Sequence, residues 1–446
     1  MRIWALGGDR TATATTWREP ASAPRWLHGL IDWLHPSLAS SAFAALWIVA
    51  GLARYGLLTH GVRLRLSEAV GLLILGAVLL ASRFRLPIPW PGALFPLIYV
   101  GIEGLSTLLN RADWSRGFKL DALLVVEAVL AIGAATLVSM IDFRTVARII
   151  VGAGAVSAAV AILLTLLYQL QLVHFGVQVD PVTGLCKTYG TMYEANLLGS
   201  YLAASLVFSL VVGHYLGPAW FTAGSRALMV VGIGLTVSRA IWFSVLAGVV
   251  LLLGLAVIER VRLHKQQLVT LAGGAALILL TWGALLQIAN SHPCGPVLAS
   301  ELSTQGSING RVASNILALN EWASSPIWGL GTGSTRAHLP NDPNQPWISS
   351  QAIASLHDVG VIGFVIEFGL LGLLLWALVR WRRPADRSER WLRYGLAGAI
   401  VTLLAAFQAT TGVLMEYPWL FIGTAIGALY VRVPARVAGQ VAARSA

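Results

Sequence analysis

Arg239 is the first residue whose type and position suggest chemistry. The string LTVSRA at 235–240 lies between two apolar stretches with almost no loop, which places this guanidinium at the outer end of closely packed helices. Its planar fork of five N–H donors suits phosphate oxygens. The same position also fits an interfacial arginine whose side chain reaches lipid phosphates. Arg239 is therefore a candidate either for binding a diphosphate or for anchoring a helix end.

A second cation, Arg311, opens a predicted helix that continues through Trp322. The glycine-rich segment SPIWGLGTG follows at 325–333. Glycine clusters can hold phosphate with backbone N–H groups. No strand precedes this one, however, as a nucleotide-binding loop requires. We therefore expect a tight turn that returns the chain over the membrane surface.

Glu194 is a candidate carboxylate before a predicted helix. Thr191 and Glu194 have the spacing of a capping box, which would give both a structural role. A carboxylate at this outer rim could also contact a sugar hydroxyl.

The composition identifies the elements that position these residues. Of 446 residues, 57% are apolar and only 11% are charged, and the mean hydropathy is +0.73. A soluble domain has about a quarter charged residues, so this chain is predicted to be an integral membrane protein. Membrane β-barrels give a weaker, alternating signal, which leaves an all-α polytopic fold.

About twelve apolar stretches are long enough to be transmembrane helices of about 20 residues. They lie at 41–58, 66–82, 88–108, 120–140, 145–170, 195–216, 224–238, 240–258, 268–289, 355–379, 394–412 and 418–431. The predicted organisation is a cytoplasmic tail (1–40), helices 1–9 (41–289) with an outer loop at 171–193, a large periplasmic loop (290–354), helices 10–12 (355–431) and a second cytoplasmic tail (432–446). The first thirty residues contain no apolar core typical of a cleavable signal peptide.

The positive charge predicts the orientation. With the N-terminus inside, 21 Lys and Arg residues fall in inner segments and 9 in outer ones, with Arg54 inside a helix. Cytoplasmic segments are enriched in these residues, so both termini are predicted to be cytoplasmic. Attraction to the anionic inner leaflet then accounts for most of the net charge of +11, and nucleic acid is not expected as a partner.

Two cysteines, Cys186 and Cys294, fall in the two outer loops. An exported compartment permits a disulfide, so we expect them to be bonded; two buried free thiols are the alternative. Other charges fall at membrane depth, where ionisable groups are functional or paired: Arg54, Glu103, Glu127 and Glu367.

The chain resembles the O-antigen ligase and polymerase superfamily of multi-spanning glycosyltransferases. The resemblance rests on GTMYEANLLGSYLA at 190–203, LTVSRA at 235–240, the segment 310–333 and VGVIG at 359–363. The twelve-span layout with a long outer loop is also part of the resemblance, which therefore covers the chain from about residue 40 to the end. It implies a GT-C-like fold.

In that family the donor is a glycan on undecaprenyl diphosphate, and transfer is metal-independent and inverting. Arg239 matches the arginine of the family's serine-arginine motif, and Arg311 matches the arginine that opens the outer-loop helix; both would hold the donor diphosphate. Lys187 is a third candidate cation. No cofactor is implied, and no Asp-x-Asp motif indicates a metal.

One departure concerns the base for the acceptor hydroxyl. Ligases of the family have a histidine-asparagine pair about eleven residues before the glycine that here is Gly360, and this chain has Ser349-Ser350 there. His357, His338 and Glu194 are the candidates that remain. His357 could instead form an interfacial hydrogen-bonded pair with Asp358.

The serine pair favours a polymerase that joins lipid-linked repeat units, with a chain-length regulator as a further partner. The close alternative is a ligase that transfers the glycan to lipid A-core or to a protein. A lipid-linked oligosaccharide flippase is the alternative from another class. A flippase would predict an internal repeat, and we find none in the sequence.

Overall fold

The computed structural model describes residues 25–52, 56–59, 62–82, 88–110, 114–179, 186–258, 305–336, 338–339, 342–380 and 387–430. The helices are α1 (Arg25–Ala50), α2 (Leu66–Ala81), α3 (Trp90–Leu109), α4 (Trp114–Val138), α5 (Phe143–Gln169), α6 (Ala195–Val212), α7 (Ala219–Leu235), α8 (Arg239–Ile258), α9 (Gln305–Trp322), α10 (Gln351–Arg380), α11 (Arg387–Ala406) and α12 (Glu416–Tyr430). Three antiparallel hairpins join them: β1 (Gly56–Thr59) with β2 (Val62–Arg65), β3 (Val177–Val179) with β4 (Cys186–Thr188), and β5 (His338–Leu339) with β6 (Asp342–Pro346). The architecture is mostly helical, as the composition predicts.

Six helices of the described chain are long and apolar enough to cross a membrane: Trp90–Leu109, Arg116–Val138, Phe143–Gln169, Ala195–Tyr215, Arg239–Ile258 and Gln351–Arg380. Large apolar side chains on them face outward, among them Phe243 and Val257 of α8, which are 71% and 77% exposed. A water-soluble bundle would bury such residues, whereas lipid solvates them. These features agree with a polytopic membrane protein. The predicted ninth span, at 268–289, lies outside the described residues, and the number twelve stays a prediction.

The first span differs from its predicted bounds of 41–58. Helix α1 begins at Arg25, inside the predicted tail, and ends at Ala50, and the chain then enters the β1–β2 hairpin at Gly56. Hydropathy alone cannot separate a helix from an apolar hairpin that follows it, because both contribute apolar residues to the same window.

Helices α6, α11 and α12 form the centre of the bundle. Of the apolar window in α6, 89% is buried, which explains why this helix is apolar on all sides. Small residues let the backbones approach closely. A Cβ on Gly248 of α8 would lie 2.1 Å from the hydroxyl of Thr402 on α11, and one on Gly423 of α12 would lie 2.1 Å from the carbonyl oxygen of Ala131 on α4.

The described helices alternate in direction along the chain. As a result, eleven of their ends lie at the same end of the bundle, which we call the loop end. It comprises the C-terminal ends of α1, α3, α5, α7 and α11 and the N-terminal ends of α2, α4, α6, α8, α10 and α12. Contacts across it include the Gln351 N–H donating to the Phe407 carbonyl (2.8 Å) and the Thr191 hydroxyl donating to the Gly51 carbonyl. All the candidate site residues lie in segments at or near this end.

Candidate functional site

Arg239 is the first residue of α8, directly after a strained turn. Val237 has φ = 51°, a left-handed conformation that is an outlier for a β-branched residue. Such strain persists where the surrounding structure enforces it, often at functional sites. Arg239 is half-buried and forms no hydrogen bond or ion pair with another described side chain. A helix N-terminus also favours negative charge, so this position is suited to an anion.

Arg311 lies on the face of α9 that packs against Ser349. The Ser349 hydroxyl contacts the Asn315 side-chain oxygen (3.0 Å) and the Arg311 carbonyl (3.4 Å). The Ser350 N–H donates to the same Asn315 oxygen (3.4 Å). Ser349 and Ser350, where the resemblance would place a histidine-asparagine pair, are therefore fixed against the helix that carries Arg311.

Glu194 is the N-cap residue of α6, and its side chain makes no capping hydrogen bond. The capping box predicted for Thr191 and Glu194 is therefore wrong, because the helix begins at Ala195, too late for Thr191 to be the N-cap. The Glu194 carboxylate instead accepts a hydrogen bond from the Thr410 hydroxyl, and its side chain is half-buried.

The connection between α11 and α12, residues 407–415, brings two parts of the site together. Thr410 holds Glu194, and the Gln408 side-chain oxygen accepts a hydrogen bond from the Ser350 hydroxyl (3.0 Å). Glu194 and the Ser349-Ser350 pair are thus joined through two residues of one loop. Neither Thr410 nor Gln408 was a sequence candidate, since only the fold brings this loop to α6 and α10.

Lys187 lies in β4, opposite Gln178 of β3. The neighbouring Thr188 hydroxyl contacts that of Thr165 near the end of α5 (2.8 Å), which fixes the hairpin at the loop end. Cys186 is disulfide-bonded; its expected partner, Cys294, lies outside the described residues.

His357 is fully buried between two carboxylates. Its Nδ1 lies 2.7 Å from Asp358 Oδ1, and its Nε2 lies 3.1 Å from Glu321 Oε2. The expected pairing with Asp358 is therefore present, and Glu321 of α9 is a partner that sequence reasoning missed. A contact at each nitrogen is the arrangement of a charged imidazole, which donates from both. His357 thereby links α9 to α10. His338 begins β5, where it pairs with Pro346.

The glycine segment packs into a break in α10. Gly360 has φ = 67° and ψ = −174° within the helix. A Cβ on Gly329 would lie 2.3 Å from the Asp358 carbonyl oxygen, so the approach requires glycine. Four backbone hydrogen bonds join segment and break, from N–H to carbonyl: Leu330 to His357 (2.8 Å), Gly331 to Asp358 (2.9 Å), Val361 to Pro326 (2.9 Å) and Ile362 to Ile327 (3.3 Å). The segment therefore satisfies the backbone groups that the break leaves free.

Buried carboxylates surround this junction. Thr332 Oγ1 lies 2.8 Å from Glu103 Oε2 and 2.8 Å from Asp121 Oδ1, and the Ser355 hydroxyl donates to Glu367. Glu103 and Glu367, expected at membrane depth, are thus partnered by hydroxyls of α10 and of the glycine segment. Arg54 lies outside the described residues.

Comparison with known protein families finds a similarity that covers part of the chain. Residues 224–377 match the family model of the O-antigen ligases. The matched stretch contains the turn before α8, all of α8 and α9, and most of α10, so it includes Arg239, Arg311 and His357, whereas Lys187 and Glu194 precede it. No curated protein matches the chain. The family match confirms the resemblance of this chain to the superfamily of O-antigen ligases and polymerases.

Proposed function

We propose that the protein is a membrane glycosyltransferase of O-antigen or exopolysaccharide synthesis that extends a lipid-linked glycan. The donor is a glycan on undecaprenyl diphosphate, and the acceptor is a sugar hydroxyl of a second lipid-linked repeat unit. The observation that carries this proposal is Arg239, half-buried, without a side-chain partner among the described residues, and at a helix N-terminus inside the stretch matched to the O-antigen ligases.

In this mechanism Arg239 and Arg311 hold the donor diphosphate, with Lys187 as a third cation. The acceptor oxygen forms a bond to the anomeric carbon while the bond from that carbon to the diphosphate oxygen breaks. Undecaprenyl diphosphate leaves with the bonding electrons, and the acceptor proton passes to a protein base. Preorganised cations stabilise the charge that develops on the leaving oxygen, so the step needs no metal, and attack opposite the leaving group inverts the anomeric centre.

Glu194 is our choice of base. Its carboxylate lies at the loop end, half-buried and oriented by Thr410, within the loop network that also holds Ser350. His357 has a carboxylate at each ring nitrogen, so we assign it to holding α9 against α10. His338 is the next candidate if Glu194 proves dispensable.

The proposed setting is the inner membrane of a bacterium, with both termini in the cytoplasm and the loop end in the periplasm. The Lys and Arg distribution of 21 inside to 9 outside supports this orientation. Lipid-linked glycans would then reach the site from the outer leaflet.

Reconstitution tests the function directly. Purified protein in nanodiscs is incubated with undecaprenyl-diphosphate-linked repeat units alone, and then with lipid A-core added. We expect longer lipid-linked glycans without core. A product that forms only with core would instead identify a ligase, as the matched family's description favours. Movement of the lipid across a liposome membrane with no new glycosidic bond would identify a flippase and contradict the proposal.

A further inference from the structure

Three buried glutamates from different helices, none of them used in the proposed mechanism, lie close together. Glu68 of α2, Glu127 of α4 and Glu416 of α12 each offer a carboxylate oxygen, and these oxygens all lie within 4.8 Å of one another. Each of the three residues is at most 1% exposed. The cluster is therefore not a chance grouping of acidic side chains on the protein surface.

Among the described residues, Arg65 is the cation that accompanies these three carboxylates. Arg65 donates from its backbone N–H (2.7 Å) and its Nη1 (2.9 Å) to the two oxygens of Glu68, whereas its Nη1 lies 4.0 Å from Glu127 Oε1. Three carboxylates and one guanidinium leave two negative charges when all are ionised. Uncompensated charge in a buried site is costly, so a cluster with all three carboxylates ionised needs a further positive partner.

The hydrogen bonds of the cluster are also incomplete. Within the described part of the chain, both carboxylate oxygens of Glu127 and Oε2 of Glu416 are buried without a hydrogen-bond partner, while Glu416 Oε1 accepts from the Ser67 hydroxyl. Glu127 is fully buried and aimed into the cluster. Buried polar atoms nearly always have a partner, so these three oxygens are available to an additional ligand.

We propose that Glu68, Glu127 and Glu416 bind one divalent cation of the oxygen-seeking class, Ca²⁺, Mg²⁺ or Mn²⁺. Carboxylates are the preferred ligands of these ions, and a charge of +2 balances the cluster. Oxygens on opposite sides of Ca²⁺ lie about 5 Å apart, from bonds of about 2.3–2.6 Å. The separations in the cluster therefore fit around one ion.

Bound cation would fix the N-terminal ends of α2 and α12 to the side of α4. The same region anchors the loop at 407–415, because Arg65 Nη1 donates to the Leu414 carbonyl. That loop holds Glu194 through Thr410. The cation is thus a structural ion beside the site, and its binding does not depend on the proposed transferase activity.

Metal binding to the wild-type protein is the first test. The protein is purified in detergent, stripped with EDTA, and titrated with Mn²⁺ while electron paramagnetic resonance measures the free aquo ion. We expect one saturable Mn²⁺ per chain, displaced by Ca²⁺ or Mg²⁺, and a rise of several degrees in the melting temperature because the ion binds only the folded state. Absence of saturable binding at millimolar Mn²⁺ would overturn the proposal.

Substitutions of the cluster glutamates test where the cation binds. Glu127→Gln should weaken Mn²⁺ binding at least tenfold and abolish the thermal shift, since it removes a full negative charge and replaces one of the two carboxylate oxygens with an NH₂ group, which cannot bind a cation. Glu389→Gln is the matched control, because Glu389 pairs with Arg393 near the start of α11, at the opposite end of the bundle. Wild-type affinity in folded Glu127→Gln protein would place the ion elsewhere and overturn the assignment. If Glu127→Gln does not fold, Glu416→Gln is read by the same criteria.

Discussion

At the scale of single residues, the sequence predicts two arginines that bind the donor diphosphate, Arg239 and Arg311. The structure places them on two different helices. Arg239 follows a left-handed valine, Val237, at the start of α8, and Arg311 lies in the first half of α9. Neither position is required for packing a core, since both side chains are only half-buried. The charge and the five-donor geometry of arginine are therefore available at both positions for binding an anion.

We expect Arg239→Ala and Arg311→Ala each to lower the rate of glycan transfer about 10²–10³-fold, the effect of removing one preorganised donor to a developing negative charge. Arg239→Lys should recover only part of that loss, because a single ammonium cannot contact two phosphate oxygens as a guanidinium does. Turnover of lipid-linked repeat units by purified protein measures both effects. Arg144→Ala is the control, since Arg144 is exposed at the opposite end of the bundle. Full activity in either alanine variant would refute the diphosphate assignment.

Glu194→Gln keeps the size and one hydrogen-bond acceptor of the side chain but removes its basicity. We therefore expect kcat to fall about 10²–10⁴-fold, the range for general-base catalysis, with little change in the KM for donor. Thr410→Val should cause a smaller loss, because it only frees the carboxylate from its partner. Steady-state kinetics on matched preparations separate the two constants.

Substitution of His357 is the comparison for that experiment, because we assign His357 a structural role and not that of the base. His357→Ala leaves the carboxylates of Glu321 and Asp358 without their shared partner, which should destabilise the protein by about 1–3 kcal/mol and lower its melting temperature. Normal turnover in Glu194→Gln, with turnover lost in folded His357→Ala or His338→Ala protein, would move the base to that histidine.

At the scale of elements, the break in α10 and the glycine segment act as one unit. A helix interrupted near the membrane exposes backbone groups that must find partners, and the segment at 326–331 provides them. The junction also sets the position of His357, three residues before the break, and so the contact of α10 with α9 through Glu321.

Gly360→Ala tests this unit. At φ = 67° and ψ = −174° the backbone lies in a region that is essentially restricted to glycine, and the new Cβ would lie 2.3 Å from the Ile327 carbonyl oxygen. We expect a loss of at least about 2 kcal/mol from the backbone conformation alone, measured as a lower melting temperature and a lower yield of folded protein. Gly369→Ala, on the same helix with open space around its Cα, should have little effect. Equal behaviour of the two variants would contradict the role given to the break.

The elements themselves were largely predictable, and their junctions were not. Apolar stretches gave α6 and α8 to within a few residues, because each run of apolar residues ends at polar or turn residues. No sequence pattern indicates that Glu321 pairs with His357, or that Glu68, Glu127 and Glu416 form a cluster, since these residues are far apart in the chain and none has a characteristic spacing. A short motif predicted that Arg239 lies between two helices with almost no loop, whereas the contact of Thr410 with Glu194 depends on distant loops that meet and could not be predicted.

At the scale of the whole molecule, every candidate site residue lies in a segment at the loop end, although these residues come from elements spread over the chain. Alternation of helix direction accounts for this, since each second connection returns to the same end. The two ends differ in charge as well as in structure. The segments predicted to lie inside, including both tails, hold 21 of the 31 Lys and Arg residues, so one rule of membrane insertion predicts which compartment the site faces.

Single cysteines test that orientation. In a background with Cys186→Ser and Cys294→Ser, we expect Gln178→Cys on the exposed edge of β3 to react with a membrane-impermeant maleimide in intact spheroplasts. Ala219→Cys, exposed at the start of α7 on the opposite end of the bundle, should react only after the membrane is permeabilised. Mass spectrometry of the labelled protein measures both reactions, and transfer activity in each variant confirms a native fold. The reverse pattern would place Arg239 and Glu194 on the cytoplasmic side, where the proposed periplasmic transfer could not take place.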